Sequence, residues 1–100
     1  MQILSSGQRQ WLRKQAHHLR PIAQVGKNGL TAPVVAAVDQ ALAANELIKV
    51  KFLEHQEQRR ELAGTLAEET GSELVAIIGN IAILYRQQPD PARRTIVLPA

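Results

Sequence analysis

The chain has 100 residues, a length that holds one domain and leaves no room for a second core. Its apolar share of 45% suits a packed core, but with only Trp11, Phe52 and Tyr85 as aromatics that core must be aliphatic. The absence of cysteine excludes disulfides, thiol nucleophiles and cysteine-based zinc sites, and it suits a reducing compartment.

The net charge is +3 and the isoelectric point about 9.8, so the chain is modestly basic. The charge is unevenly spread. Residues 1–53 carry seven Lys/Arg against Asp39 and Glu46, whereas residues 54–85 carry Arg59 and Arg60 against six glutamates. Residues 86–100 are basic again, with Arg86, Arg93 and Arg94 against Asp90. A basic flank beside an acidic one gives a protein a preferred orientation toward a polyanion. Met1 to Ser6 lacks the apolar run of a signal peptide, and no stretch approaches the roughly 18 apolar residues of a membrane span. The expected location is the cytoplasm, away from membranes.

A first helix is expected from Ser6 to Leu19, with Ser5 as cap and Gln8 at capping-box spacing. Leu12, Ala16 and Leu19 form its apolar stripe, Trp11 sits at the edge, and Arg9, Arg13, His17 and Arg20 share a neighbouring face. Pro21 stops it. Pro21 to Val25 reads as a short strand, and Thr31 as the cap of a second helix that tolerates Pro33 in its first turn. Val34, Val38, Ala41 and Leu42 line the buried side of that helix, and Asn45 ends it.

Glu46 to Leu53 alternates as a strand, with Ile48, Val50 and Phe52 on one side and Lys49 and Lys51 on the other. A third helix follows from Gln56 to Thr70 with Gly71 as its stop. Glu73 to Ile78 and Ile81 to Tyr85 flank Gly79-Asn80, a hairpin signal. Thr95 to Leu98 is a last extended piece that either pairs with a sheet edge or trails. The expected architecture is an α/β, compact two-layer domain of order α-β-α-β-α-β-β, with a mixed sheet of about four strands and helices packed against it.

Gly26-Lys27-Asn28-Gly29 joins the first strand to the second helix. Glycines let a backbone approach a ligand closely, helix-start amides favour a phosphate, and Lys27 and Asn28 add a charge and a donor–acceptor pair. Such a loop clamps a sugar–phosphate backbone without reading bases, as the GXXG loop of KH domains does. The same four residues also make an ordinary tight turn. The basic first helix and the Lys49/Lys51 strand face tilt the reading toward RNA.

Several blocks then carry a family resemblance: Leu4-Ser5 through Arg9, Leu19-Arg20-Pro21, Val25 through Thr31, Ala44 through Lys51, Glu69-Thr70-Gly71, and Ile78-Gly79-Asn80 running into Leu84-Tyr85-Arg86. Together, over residues 4–98, they resemble the CRM domain (chloroplast RNA splicing and ribosome maturation) in its bacterial YhbY-like form. The resemblance implies a fold like the C-terminal domain of translation initiation factor three, and association with precursors of the large ribosomal subunit. Carried onto this chain, it makes Gly26, Lys27, Asn28 and Gly29 the backbone-binding loop. Arg9, Arg13, Lys14, His17 and Arg20 of the first helix, with Arg86, are similar to the family's basic surface, and Lys49 and Lys51 join the expected RNA-binding set because they lie on the wet strand face. The implied partner is large-subunit ribosomal RNA or its precursor, with ribosomal proteins as further candidates and the chain acting as a monomer. Bacterial relatives often have a lysine where this chain has Asn80.

No enzyme, cofactor or metal is expected. His17 and His18 point to different faces, Glu57 and Glu61 sit among Arg59 and Arg60 as ordinary ion pairs, and no Walker-type spacing occurs. Tyr85 and Trp11 read first as core or rim residues and only second as stacking platforms. Two other functions compete with RNA binding: a protein adaptor working through the acidic third helix, and nonspecific DNA binding.

Overall fold

The structure, a computed structural model, describes residues 4–100; residues 1–3 lie outside it. Helix α1 spans Ser6–Gln15 and opens with the expected capping box: the Gln8 amide donates to Ser5 Oγ at 3.1 Å, and the Ser5 amide to Gln8 Oε1 at 3.0 Å. It ends sooner than the apolar stripe suggests. After Ala16 the chain tightens into turns, with the His17 amide on the Lys14 carbonyl at 3.1 Å and the Leu19 amide on Ala16 at 3.0 Å. Pro21 sets only the outer limit, because the residue before a proline is pushed out of the helical region.

Strand β1 (Pro21–Val25), helix α2 (Ala32–Ala44) and strand β2 (Leu47–Phe52) follow in the expected order. Thr31 caps α2 by accepting from the Val34 amide. The third helix is preceded by a single 3-10 turn, Gln56–Gln58, so α3 proper is Arg59–Thr70. That turn starts from His55, a non-glycine residue at φ 59°. Strands β3 (Glu73–Ile78) and β4 (Ile81–Tyr85) form a hairpin through Gly79-Asn80, with the positive φ falling on Gly79.

The four strands lie in the order β1-β2-β4-β3; β1 runs parallel to β2, and the other pairs are antiparallel. The alternation along β2 divides the core. Val25, Ile48, Val50, Phe52, Ala82 and Leu84 meet Val38 and Leu42 of α2 and Ala63, Leu66 and Ala67 of α3. This is the two-layer packing expected. The opposite face is partly covered too, because Leu12 of α1 and Ala16 just after it pack on Leu47, Val75, Ile83 and Tyr85. The apolar stripe of α1 thus adds a partial third layer, leaving one end of that face open.

Thr95–Leu98 forms no strand. Glu46, 4% exposed, takes its backbone donors instead: Oε1 accepts from the Thr95 and Ile96 amides at 2.7 and 3.0 Å, and Oε2 from Gln88 at 2.9 Å. A carboxylate that accepts these N–H groups removes the need for a strand partner. Ile96 and Leu98 then pack beside α1 on the second core.

Candidate nucleic-acid interface

Parallel pairing of β1 and β2 sets Val25 opposite Phe52, so the loop after β1 emerges beside the segment after β2. The ladder runs one step further, with the Leu53 amide on the Val25 carbonyl at 2.9 Å. The Gly29 amide bonds the Gly26 carbonyl at 3.0 Å and closes a four-residue turn with Lys27 and Asn28 exposed at its tip. Gly29 has φ 70°, a conformation that favours glycine. Gly26 differs: a Cβ there would meet nothing within 4 Å, so the fold leaves its outer side open to an approaching ligand. The start of α2 stands immediately behind the turn and adds its partial positive charge.

His55 locks this turn in place. Its Nε2 lies 2.9 Å from the Lys27 carbonyl oxygen, which can only accept, so Nε2 carries the proton. No motif in the sequence places His55 at the loop. Only the β1–β2 register, which brings two segments 28 residues apart together, reveals its role.

At the loop end of the sheet one row crosses all four strands: Gln24 beside Lys51, Lys51 beside Ile81, and Ile81 beside Ile78. Lys51 has the same parity along β2 as Lys49 and faces the α1 side. Beyond it lies an open cleft of about 960 Å³ between α1 and the sheet. Gln10, Arg13, Lys14, His17 and Lys49 form its wall and Ile78, Ile81 and Ile83 its floor; none of these residues is acidic. Ile78 is 43% exposed, an unusual degree for a large apolar residue in a strand.

The remaining predicted basic residues fall outside this cluster or are engaged within it. Arg9 donates to the Leu74 carbonyl and ties α1 to β3 at the bulge between Leu74 and Ala76. Lys49 Nζ donates to the carbonyls of His17 and Leu19 at 3.3 and 3.0 Å, satisfying backbone groups beyond the end of α1. Arg20 is exposed, at the start of β1 away from the loop. Arg86 stands at the opposite end of β4, roughly 17 Å along the strand from Ile81 at about 3.4 Å per residue. There it donates to Asp39 Oδ1 at 2.6 Å, the Asp39 carbonyl at 3.0 Å and the Thr70 carbonyl at 2.7 Å. Tyr85 is fully buried and offers no stacking face, while Trp11 is half-buried against the second core. Glu57, Glu61, Glu68 and Glu69 are exposed on α3 and the turn before it, across the sheet from α1.

Comparison with known proteins agrees with the fold and with the blocks that carried the resemblance. The protein-family model of the CRS1 / YhbY (CRM) domain matches residues 4–86. The Probable RNA-binding protein YqeI of Bacillus subtilis is 39% identical over 89 residues, covering 88% of this chain and 93% of YqeI. An RNA-binding protein of Haemophilus influenzae is 41% identical over 91 residues, covering 90% of this chain and 92% of its own. The solution structure of Staphylococcus aureus SAV1595, a hypothetical protein for which RNA binding has been suggested, superposes with a TM-score of 0.84 at 39% identity. That superposition covers 97% of this chain and 100% of SAV1595. The chain belongs to the CRS1 / YhbY (CRM) domain family.

Proposed function

We propose that this protein binds RNA, holding the sugar–phosphate backbone with Gly26-Lys27-Asn28-Gly29 and the basic face of α1, and that it assists assembly of the large ribosomal subunit. One observation carries the reading. The exposed Lys27-Asn28 tip, backed by the start of α2, opens onto the same end of the sheet as Lys51 and the basic wall of the cleft. Naming of the relatives as RNA-binding proteins supports the polymer. The large-subunit precursor is what the family resemblance implies. Within this reading Arg13, Lys14 and Lys51 are the cations available to phosphates, His17 adds a ring N–H donor beside them, and Arg9, Lys49 and Arg86 shape the surface that presents them.

Sedimentation of cell extract, with and without nuclease, tests the reading for wild type and for the Lys27→Ala/Asn28→Ala variant. Wild type travels with a large-subunit precursor and is released by nuclease, while the variant moves toward the top of the gradient. Wild type remaining at the top in growing cells would defeat the assembly role. A variant that sediments unchanged would show that the loop is not the grip. The acidic exposed side of α3 supports a second reading, a protein adaptor, for which association survives nuclease and is lost on charge reversal of Glu61 and Glu68.

A further inference from the structure

We infer that the cleft between α1 and the open end of the sheet seats one unstacked nucleotide, its base on Ile78 and Ile81 and its phosphate on Arg13 and Lys14. This rests on the RNA-binding reading and names the kind of RNA it requires: a strand with an unpaired base rather than an uninterrupted duplex.

The composition of the cleft points to such a ligand. Its wall presents Arg13, Lys14 and His17 without an opposing carboxylate among its lining residues, so it favours an anion. Its floor, however, is apolar: Ile78, 43% exposed, and the half-buried Ile81, lying over the fully buried Ile83. A phosphate pressed onto that floor would lose hydration with nothing in return. The ligand must therefore be anionic at one edge and flat and apolar a few ångströms away, and a nucleotide released from its stack is both. A paired base in an A-form helix cannot reach a recessed floor, since its faces are covered by its neighbours and duplex recognition runs through phosphates and 2′-hydroxyls. Gln10, in the same wall, has a donor and an acceptor for a base edge.

Position agrees with composition. Ile81 is the direct strand neighbour of Lys51, which is in turn the neighbour of Gln24, two residues before the glycine loop. The loop strand and the cleft floor are therefore two strand spacings apart, roughly 10 Å. A strand gripped at Lys27 and Asn28 passes over Lys51 and delivers its next unpaired base to the cleft.

The test is titration of the wild-type protein, with isoleucine methyls and backbone amides followed by NMR. The probes are pentaadenylate, the matching abasic ribose-phosphate pentamer and a perfect RNA duplex. Pentaadenylate is expected to move the Ile78 and Ile81 methyls upfield by ring current, whereas all probes that bind move the Gly26–Gly29 amides. Removing the bases lowers affinity about fivefold, the lower limit for one stacked base, because the floor is aliphatic. An Ile78→Thr/Ile81→Thr variant, whose fold is checked by its amide spectrum, loses that preference and keeps its salt dependence. Loop amides that shift while the isoleucine methyls stay still would overturn the cleft assignment and leave RNA binding standing. If neither set responds to any RNA, both fall together.

Discussion

The imidazole of His55 donates to the backbone carbonyl of Lys27 at 2.9 Å, joining the glycine loop to the turn that precedes α3. Both partners are exposed, and His55 holds the bond from a left-handed backbone conformation, φ 59°. Such strain persists only where the surroundings fix it. His55→Ala removes the bond and should free the loop without disturbing either core. The expected loss in RNA affinity is about 1 kcal/mol, the net worth of a neutral hydrogen bond, with little change in melting temperature. Faster amide exchange at Gly26–Gly29 in the variant would identify the cause as reduced order in the loop. Unchanged affinity and exchange would show that His55 does not position it.

The two glycines of the loop should separate fold from binding. Gly29 needs its positive φ, so Gly29→Ala is expected to destabilise the protein by about 1 kcal/mol. Gly26 has no such need and open space where a Cβ would stand. Gly26→Ala is therefore expected to unfold in urea with the wild-type midpoint, while its affinity for RNA falls through the methyl group's obstruction of close backbone approach. Equal affinity for wild type and Gly26→Ala would mean that no phosphate comes near that backbone.

Arg86 offers the opposite separation. It belongs to the basic surface by sequence resemblance, yet in the fold it fastens α2 to the end of α3 through Asp39 and Thr70. The ion pair is partly exposed, so most of its worth lies in the two bonds to carbonyls. Arg86→Ala should lower stability by roughly 1 kcal/mol. The dependence of RNA affinity on salt should stay unchanged, because removing a cation that pairs with a phosphate would flatten that slope by nearly one. Lys27→Ala should show the reverse pattern: a flatter slope and an unchanged unfolding midpoint.

These cases show where the sequence was legible. The capping box at Ser5 and Gln8, the β2 alternation and the Gly79-Asn80 hairpin are local signals, and each element appears where its signal stands. The turn at Gly26–Gly29 was legible for the same reason: four consecutive residues form it. The roles of Arg9, Lys49 and Arg86 were not, because each cation is bonded to a carbonyl at least 16 residues away. The floor of the cleft was also hidden. Ile78 and Ile81 look like ordinary core residues in a strand pattern, and only the packing of α1 on the sheet shows that they line an open cleft.

Glu46 gives the protein an acid-sensitive clasp. Burial alone would raise its pKa, but the backbone donors of Gln88, Thr95 and Ile96 and the Thr95 hydroxyl more than offset this and hold the carboxyl below its usual value. The unfolded chain therefore binds the proton more readily than the folded one. The resulting stability is fully present above the ordinary glutamate pKa, about 4.3, and is lost as pH falls through the lower folded value. Glu46→Gln removes the charge, and it cannot accept from the Gln88 amide and from the tail at once. We expect it to cost about 2 kcal/mol at neutral pH, the range for hydrogen bonds to a charged group. The gap between wild type and Glu46→Gln in urea unfolding should narrow below about pH 4. In wild type the Thr95 and Ile96 amides should lose protection over that acid range, and in Glu46→Gln they should be poorly protected already at pH 7. A gap as wide at pH 3 as at pH 7 would show that the ionised carboxylate is not what holds the tail.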